Sequence, residues 1–223
     1  MASLKLFDPR MNENPTTIRR IANSIDLSSF EAPEWNRAKP VFIATYWSGE
    51  SAPAERAVQV SLLGSESDLF VRFDARQHEP LVISDNPDLS RKAIGLWERD
   101  VCEMFLAPDC GEPRKYFEFE VAPTGEWLDL AIDSTGRERK TDWEYHSGME
   151  AAARVDEHRV IMAIKIPWTA FSRKPAAGDV WLGNFFRCVG NGPNRGYLAH
   201  RPTMTETPNF HVPESFGQLF FEN

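Results

Sequence analysis

Short segments in which apolar and polar residues alternate dominate this chain and restrict its fold. The clearest segment is 116–121, whose apolar residues Phe117, Phe119 and Val121 alternate with Tyr116, Glu118 and Glu120. Because successive side chains of a β-strand point to opposite faces, the first three are expected to face inward and the other three outward. The pattern therefore predicts a strand with one face in a core.

Similar segments recur, with turn-forming residues about every 8–12 residues. The predicted strands cover residues 41–47, 56–63, 69–74, 101–106, 116–121, 127–132, 149–155, 158–166, 179–189 and 216–221. No sustained helical period is present, so helix is limited to one or two short turns, such as one after Pro167. Many short strands joined by turns predict an all-β fold, an antiparallel β-sandwich with long loops.

The composition is that of a folded chain whose partners are neither nucleic acid nor membrane. Hydrophobic residues make up 42% and charged residues 26% of the 223 residues, so we expect one domain over residues 15–223 after a loose arm at 1–14. The formal net charge is -8, whereas nucleic acid and anionic membranes favour a basic patch. No apolar run of about 18 residues is present to span a membrane.

The first residues lack the apolar segment of a signal peptide. The expected location is therefore cytoplasmic for the chain as given, or secreted or periplasmic if a leader was removed. Cys102, Cys110 and Cys188 are too few and too scattered for a disulfide framework or a zinc site. Cys102 and Cys188 are expected to be core thiols, and a Cys102–Cys110 bridge stays open as an alternative.

Residues 97–106 combine an indole, a charged loop and an apolar strand that contains Glu103. In a strand, Glu103 shares a face with Val101 and Phe105. A sugar ring has an apolar C–H face and a rim of hydroxyls, so an aromatic plate beside a carboxylate suits a sugar site. The alternative is that Trp97 is a core residue and Glu103 faces solvent on an edge strand.

The same stretch resembles the W-x-x-D-x-V/C-E-I/M-F motif of family 9 carbohydrate-binding modules. Four further segments resemble that family in the same order: residues 117–121, 160–171 with its Ile-Pro-Trp, 183–187 and 208–219. The resemblance covers most of the chain from about Thr16 onward. It implies a β-sandwich of jelly-roll type that binds sugars and is often attached to glycoside hydrolases.

The resemblance also implies roles for single residues. The sugar of the family lies between two aromatic plates, which here are Trp97 and Phe210, although the characterised modules have Trp at the second position. Glu103 matches a carboxylate that bonds sugar hydroxyls, and Arg187 matches a polar position. A basic residue of the family falls near Glu120 here, so the acidic face of Glu118 and Glu120 is available to a different ligand. Structural calcium is the one cofactor implied, without assigned ligands.

Further residues add aromatic surface or hydrogen-bonding groups that one sheet face could gather. They complete the predicted ligand-binding set with Tyr116, Glu120, Trp127 and His211. For Arg187 the alternative is a structural ion pair with Glu103 or Glu120. For Trp127, as for Trp181, the alternative is packing in the core.

Two other functions use the same residues. Glu103 with Glu118 or Glu120 could be the carboxylate pair of a small glycoside hydrolase, but side chains on adjacent strands commonly lie closer than hydrolysis requires. The fold could also be a scaffold whose aromatic loops meet a protein partner. The sequence favours a non-catalytic carbohydrate-binding module linked to carbohydrate catabolism, with a saccharide as ligand and no partner protein assigned.

Overall fold

The computed structural model describes residues 15–171 and 173–222, and the arm predicted at residues 1–14 lies outside them. The strands of the described residues are β1 Thr16–Arg20, β2 Val41–Ile43, β3 Thr45–Tyr46, β4 Val58–Gly64, β5 Asp68–Arg76, β6 Val101–Ala107, β7 Lys115–Val121, β8 Trp127–Asp133, β9 Lys140–Asp142, β10 Glu150–Asp156, β11 Arg159–Pro167, β12 Val180–Val189, β13 Gly196–Ala199 and β14 Gly217–Phe221. Single 3-10 turns cover Pro33–Arg37, Ala54–Arg56, Leu96–Glu98, Trp168–Ala170, Gly192–Asn194 and Pro213–Ser215.

The strands form the two sheets of a β-sandwich, as predicted. The first sheet has the order β10-β11-β5-β4-β1, with β2 beside β4. The second sheet has the order β14-β12-β6-β7-β8-β9, and β13 continues it beside β12. Strand β1 belongs to both sheets, because Thr16 to Ile18 pair with β14 and Arg19 and Arg20 pair with β4.

Both pairings of β1 are parallel, whereas the other described strand pairs are antiparallel. The sandwich is therefore mixed rather than purely antiparallel. Alternation of apolar residues fixes which face is buried but carries no information on strand direction. Parallel partners must also come from distant parts of the chain, and β14 is the last described strand.

Apolar side chains from both sheets fill the space between them. The predicted inward face of β11, with Val160, Met162, Ile164 and Ile166, lies in this core. Trp181 is fully buried and packs with Trp168, Phe171 and Phe221, at ring-centroid distances of 5.0 to 6.0 Å. The packing alternative is therefore correct for Trp181.

The opposite face of the second sheet is also buried, under loops. Phe105 of β6 and Phe186 of β12 pack there against Phe210 and Phe216 from the C-terminal loops. Tyr116, Glu118 and Glu120 of β7 do lie on the face opposite to Phe119, but all three are buried. Their predicted outward direction is therefore correct, but loops rather than solvent cover them. We call this surface the outer face of the second sheet.

Several elements differ from the sequence prediction. The predicted strand over residues 41–47 is divided into β2 and β3, and β9 and β13 lie within predicted loops. The described residues contain six 3-10 turns instead of one or two. Strands of two to four residues leave almost no alternation to detect. Cys102, Cys110 and Cys188 form no disulfide in the described part of the chain, and Cys102 and Cys188 are buried. No helix of the described residues is long and apolar enough to cross a membrane.

Gly183 lies in β12 opposite Leu106 of β6, at the centre of the second sheet. A Cβ atom at this position would be 2.7 Å from the carbonyl oxygen of Phe105 and 2.9 Å from Cδ1 of Leu219. Because a backbone oxygen cannot move aside cheaply, Gly183→Ala is expected to lower the free energy of unfolding by about 1–3 kcal/mol in urea denaturation. Gly136→Ala is the matched control, since the nearest atom to its Cβ lies at 3.7 Å. Equal stability of the two variants would contradict this packing.

Candidate functional site

A cavity of about 690 Å³ lies between the outer face of the second sheet and the loops that cover it. Its aromatic lining comprises Trp97, Phe105, Trp143, Tyr197 and Phe210. Its polar lining includes Glu103, Glu118, Asn209 and His211. The volume falls in the range of small-molecule sites, and the mixture of aromatic surface with a few polar groups is typical of them.

Two indole rings stand at this cavity. Trp97 and Trp143 are 36% and 46% exposed, and their ring centroids are 6.3 Å apart at an angle of 44°. Large aromatic side chains that remain exposed next to one another mark a binding surface more often than a packing defect. The alternative that Trp97 is a core residue is therefore wrong, since its neighbour Leu96 fills the core position of this turn.

Hydrogen bonds to the backbone hold the Trp97 turn in place. Arg195 donates to the carbonyl oxygens of Trp97 and Arg99, each at 2.7 Å. Oδ1 of the buried Asp100 accepts a bond of 2.8 Å from the backbone N–H of Gly190. The turn is thus tied to the loop after β12, so that the indole projects from a fixed backbone.

Phe210 and His211 belong to the loop before β14, and both line the cavity. Phe210 is 9% exposed and stacks on Phe186 at a centroid distance of 4.2 Å. Nδ1 of His211 shares a hydrogen bond of 2.9 Å with the hydroxyl of Tyr116. Tyr116 itself is buried and absent from the lining of this cavity, where it was predicted to contact a ligand, and its hydroxyl meets His211 instead. Burial lowers the pKa of His211 to about 3, so this ring is neutral.

Three carboxyl groups meet beneath the aromatic rings. Glu103 of β6 is directly opposite Glu120 of β7, and Glu118 is two residues from Glu120 on the same face. One oxygen from each lies within 4.8 Å of the others, and the residues are 2%, 0% and 3% exposed in the order 103, 120 and 118. Glu103 therefore does not face solvent on an edge strand. Glu103 and Glu118 line the cavity, whereas Glu120 lies below them.

Burial and mutual repulsion keep protons on these carboxyls. Burial raises the pKa of Glu103 to about 8 and also raises the pKa of Glu118. The pKa of Glu120 lies well above its usual value, because of burial and the negative charges of Glu103 and Glu118. Three buried carboxyls this close cannot all ionise at neutral pH, so the cluster retains protons that can form hydrogen bonds.

The structure does not bring Arg187 to the cavity. It is 3% exposed and lies on the face of β12 opposite to its neighbours Phe186 and Cys188, toward the core between the sheets. Its guanidinium donates to the carbonyl oxygens of Arg56 and Arg76, at 2.8 and 2.9 Å. The placement predicted for Arg187, beside a ligand or paired with Glu103 or Glu120, is therefore wrong. Because side chains alternate along a strand, Arg187 points away from the face on which the cavity lies.

Trp127 is also absent from the described cavity lining. It is half-buried and packs on the core between the sheets, which favours the packing alternative. The sequence prediction missed Trp143, Tyr197 and Arg139, all of which line the cavity. The signal that could have found Trp143 and Arg139 is the length of the loop after β8, since long loops commonly carry binding residues.

The acidic cluster is the natural place to test for the calcium that the family resemblance implies. Among the described residues, Glu103, Glu118 and Glu120 are the acidic, His or Cys side chains close enough to share an ion. Calcium takes six to eight oxygen ligands, and the cavity next to these carboxyls presents Thr141 and Asn209 as further oxygen donors beside the apolar Phe105 and Phe210. The three carboxyls are candidate ligands, and calcium stays a prediction.

The raised pKa values predict how stability depends on pH. The folded state holds protons on Glu103 and Glu120 that the unfolded chain releases near pH 4.3. The contribution of these protonated carboxyls to the free energy of unfolding is therefore complete below pH 4.3 and is lost as the pH rises. Glu120→Gln cannot ionise, so between pH 5 and 8 it should lose less free energy of unfolding than the unmodified chain, by about 1 kcal/mol or more. Urea denaturation at both values checks this, with the exposed Glu157→Gln as control. Equal losses would contradict the burial of Glu120.

The fold is similar to those of three solved structures. A candidate carbohydrate-binding protein from Bacteroides uniformis has 18% identity and a TM-score of 0.75, over 92% of this chain and 98% of that one. A family 9 carbohydrate-binding module from Caldicellulosiruptor kristjanssonii in complex with cellotriose has 15% identity and a TM-score of 0.67, over 94% of each chain. The corresponding complex with glucose has 15% identity and a TM-score of 0.66, over 93% and 96%.

At such identities these likenesses establish the fold alone, and the family assignment depends on the sequence. None of the curated proteins matches the chain in sequence. Residues 88–221 match the model of carbohydrate-binding family 9. This stretch runs from the loop before Trp97 to the end of β14 and contains both the acidic cluster and Phe210. Because the match extends over more than half of the chain, this protein belongs to carbohydrate-binding family 9.

Proposed function

We propose that this protein binds a saccharide in the cavity above the second sheet and does not catalyse a reaction on it. The observation that carries the proposal is the pair of exposed indoles, Trp97 and Trp143, in one cavity with the carboxyls of Glu103 and Glu118. Aromatic rings can pack on the C–H face of a sugar, and carboxyls can bond its hydroxyls.

The contact residues that we propose follow from what reaches the cavity. Trp97, Trp143 and Phe210 would contact the sugar ring, and Glu103, Glu118 and His211 would bond its hydroxyls. The proton on Glu103 favours this role, because a protonated carboxyl donates one hydrogen bond and accepts others. Fixed loops lower the entropy lost on binding, since the Trp97 turn is held through its backbone.

The solved relatives indicate which sugars to test first. A family 9 module with a similar fold is in complex with cellotriose, and the same source has a complex with glucose. We therefore take glucose and cellotriose as the first ligands for this cavity. A role in carbohydrate catabolism follows as part of the proposal.

Burial of the cluster favours binding over hydrolysis by a pair that includes Glu120, because both carboxyls of a glycosidase flank the scissile bond. Glu120 is 0% exposed and cannot touch a substrate. The concave shape of the cavity also favours a small ligand over the flat surface expected of a protein-interaction scaffold.

Removal of either indole is expected to abolish most sugar binding without unfolding the protein. In calorimetric titration with cellotriose, Trp97→Ala and Trp143→Ala should each lower the affinity at least tenfold, about 1.4 kcal/mol. Both side chains are substantially exposed, so the melting temperature should change little. Phe42→Ala is the matched control, because Phe42 is 54% exposed and outside this cavity lining.

A large fall in melting temperature for Trp97→Ala would instead assign Trp97 to packing. Unchanged affinity in both variants would place the sugar elsewhere on the molecule. Release of a smaller sugar from cellotriose during prolonged incubation would favour the hydrolase alternative.

A further inference from the structure

The carboxyls beneath the cavity are paired with one another rather than with a cation. Glu118 and Glu120 share a hydrogen bond, and beyond this pair Oε2 of Glu118 has no hydrogen-bond partner among the described residues. Glu118 is 97% buried by accessible surface, with 3% exposed, and it lines the cavity. A buried carboxyl is costly unless it is protonated, hydrogen-bonded or paired with a cation. The unpaired oxygen of Glu118 therefore points to a partner that a ligand would supply.

The basic groups of the cavity do not supply that partner. Arg195 donates to the carbonyl oxygens of Gly190, Trp97 and Arg99, so its guanidinium is committed to the loops. His211 has Nε2 only 3.9 Å from Glu118, but its lowered pKa leaves it uncharged. Arg139 lines the cavity, and its charge opposes the rise in the pKa of Glu118. Its side chain is exposed, so solvent weakens this attraction without removing it.

The aromatic lining also suits a cation. Trp97 and Trp143 are partly exposed in the same cavity that Glu103 and Glu118 line. A cation near an indole face is attracted by the ring quadrupole, and an ammonium donates short, charge-assisted hydrogen bonds to carboxyl oxygens. Indoles and unpaired carboxyls together recognise a group that is both positively charged and attached to an apolar frame.

We propose that the saccharide of this cavity carries a protonated amino group, which donates hydrogen bonds to Glu118 and Glu103 while the sugar ring packs on Trp97 and Trp143. The inference rests on the proposed function and narrows it to amino sugars. The ammonium supplies the positive charge that the acidic pair lacks, and the ionised carboxyls then gain a partner in place of their protons.

Proton release accompanies this binding. A cation beside a carboxyl favours the ionised form, so protons held by Glu103 and Glu118 leave for solvent when the ammonium enters. Glu120 shares their environment. The other titratable or charged groups of the cavity lining are Glu98, Arg139, Cys188, Arg195, Tyr197 and His211. None of these loses a proton through direct contact with the ammonium in this arrangement.

The test compares glucosamine, glucose and N-acetylglucosamine by calorimetric titration of the full chain at about pH 6.5, where the amine of glucosamine is protonated. Glucosamine should bind at least tenfold more tightly than glucose. N-acetylglucosamine has an uncharged amide, so the protein should not bind it more tightly than glucose. Titration in two buffers of different ionisation enthalpy should show protons released with glucosamine and not with glucose.

Charge variants then locate the effect. Glu118→Gln should reduce the preference for glucosamine over glucose about tenfold, and Arg139→Gln should increase it. Glu157→Gln makes the same charge change on an exposed loop and should leave the preference unchanged. The comparison of the three sugars uses the unmodified protein, so it tests the amino-sugar inference even if Glu118→Gln fails to fold.

The outcomes separate this inference from the proposed function. Binding of glucose with equal or weaker binding of glucosamine overturns the amino-sugar inference and leaves sugar binding intact. Calcium bound at Glu118 without a preference for glucosamine overturns it as well. No binding of any sugar overturns the proposed function and this inference with it.

Discussion

The pairing of β6 with β12 on one side and β7 on the other is the constraint on which the site depends. It places Glu103 directly opposite both Phe186 and Glu120. Alternation along β6 then sends Met104 and Leu106 into the core and leaves Glu103 on the outer face. One strand thus contributes to the hydrophobic core and to the cavity at once, so core packing on one face of β6 holds the backbone that carries Glu103 on the other.

The cost of this arrangement is a set of buried acids. Glu103, Glu118 and Glu120 on an apolar-covered face oppose folding whenever they ionise, and an all-apolar face would be more stable. Sites of function commonly break the rules of stable folding in this way, because a ligand can supply the missing interaction. The number of protons that the three carboxyls hold therefore affects both the stability of the fold and the binding of a ligand, and it changes with pH.

The rest of the cavity comes from segments that are distant along the chain. Trp97 precedes β6, Trp143 follows β9 and Phe210 precedes β14. Hydrogen bonds of Asp100 and Arg195 to backbone groups tie the Trp97 turn to the loop after β12. The scaffold thus fixes the backbone at Trp97 while the indoles of Trp97 and Trp143 stay exposed.

Alternation of apolar residues determined most of the longer strands, the β-sandwich and the inner faces of β7 and β11, because hydrophobic burial acts residue by residue. Five motifs in order, and the family-model match over residues 88–221, determined the family. Tertiary structure alone decided that β1 joins both sheets, that Arg187 turns toward the core, and that Trp143 stands beside Trp97. It also decided that Glu118 and Glu120 are buried. These depend on contacts between residues far apart in the chain, and a local pattern does not record which loop covers a face.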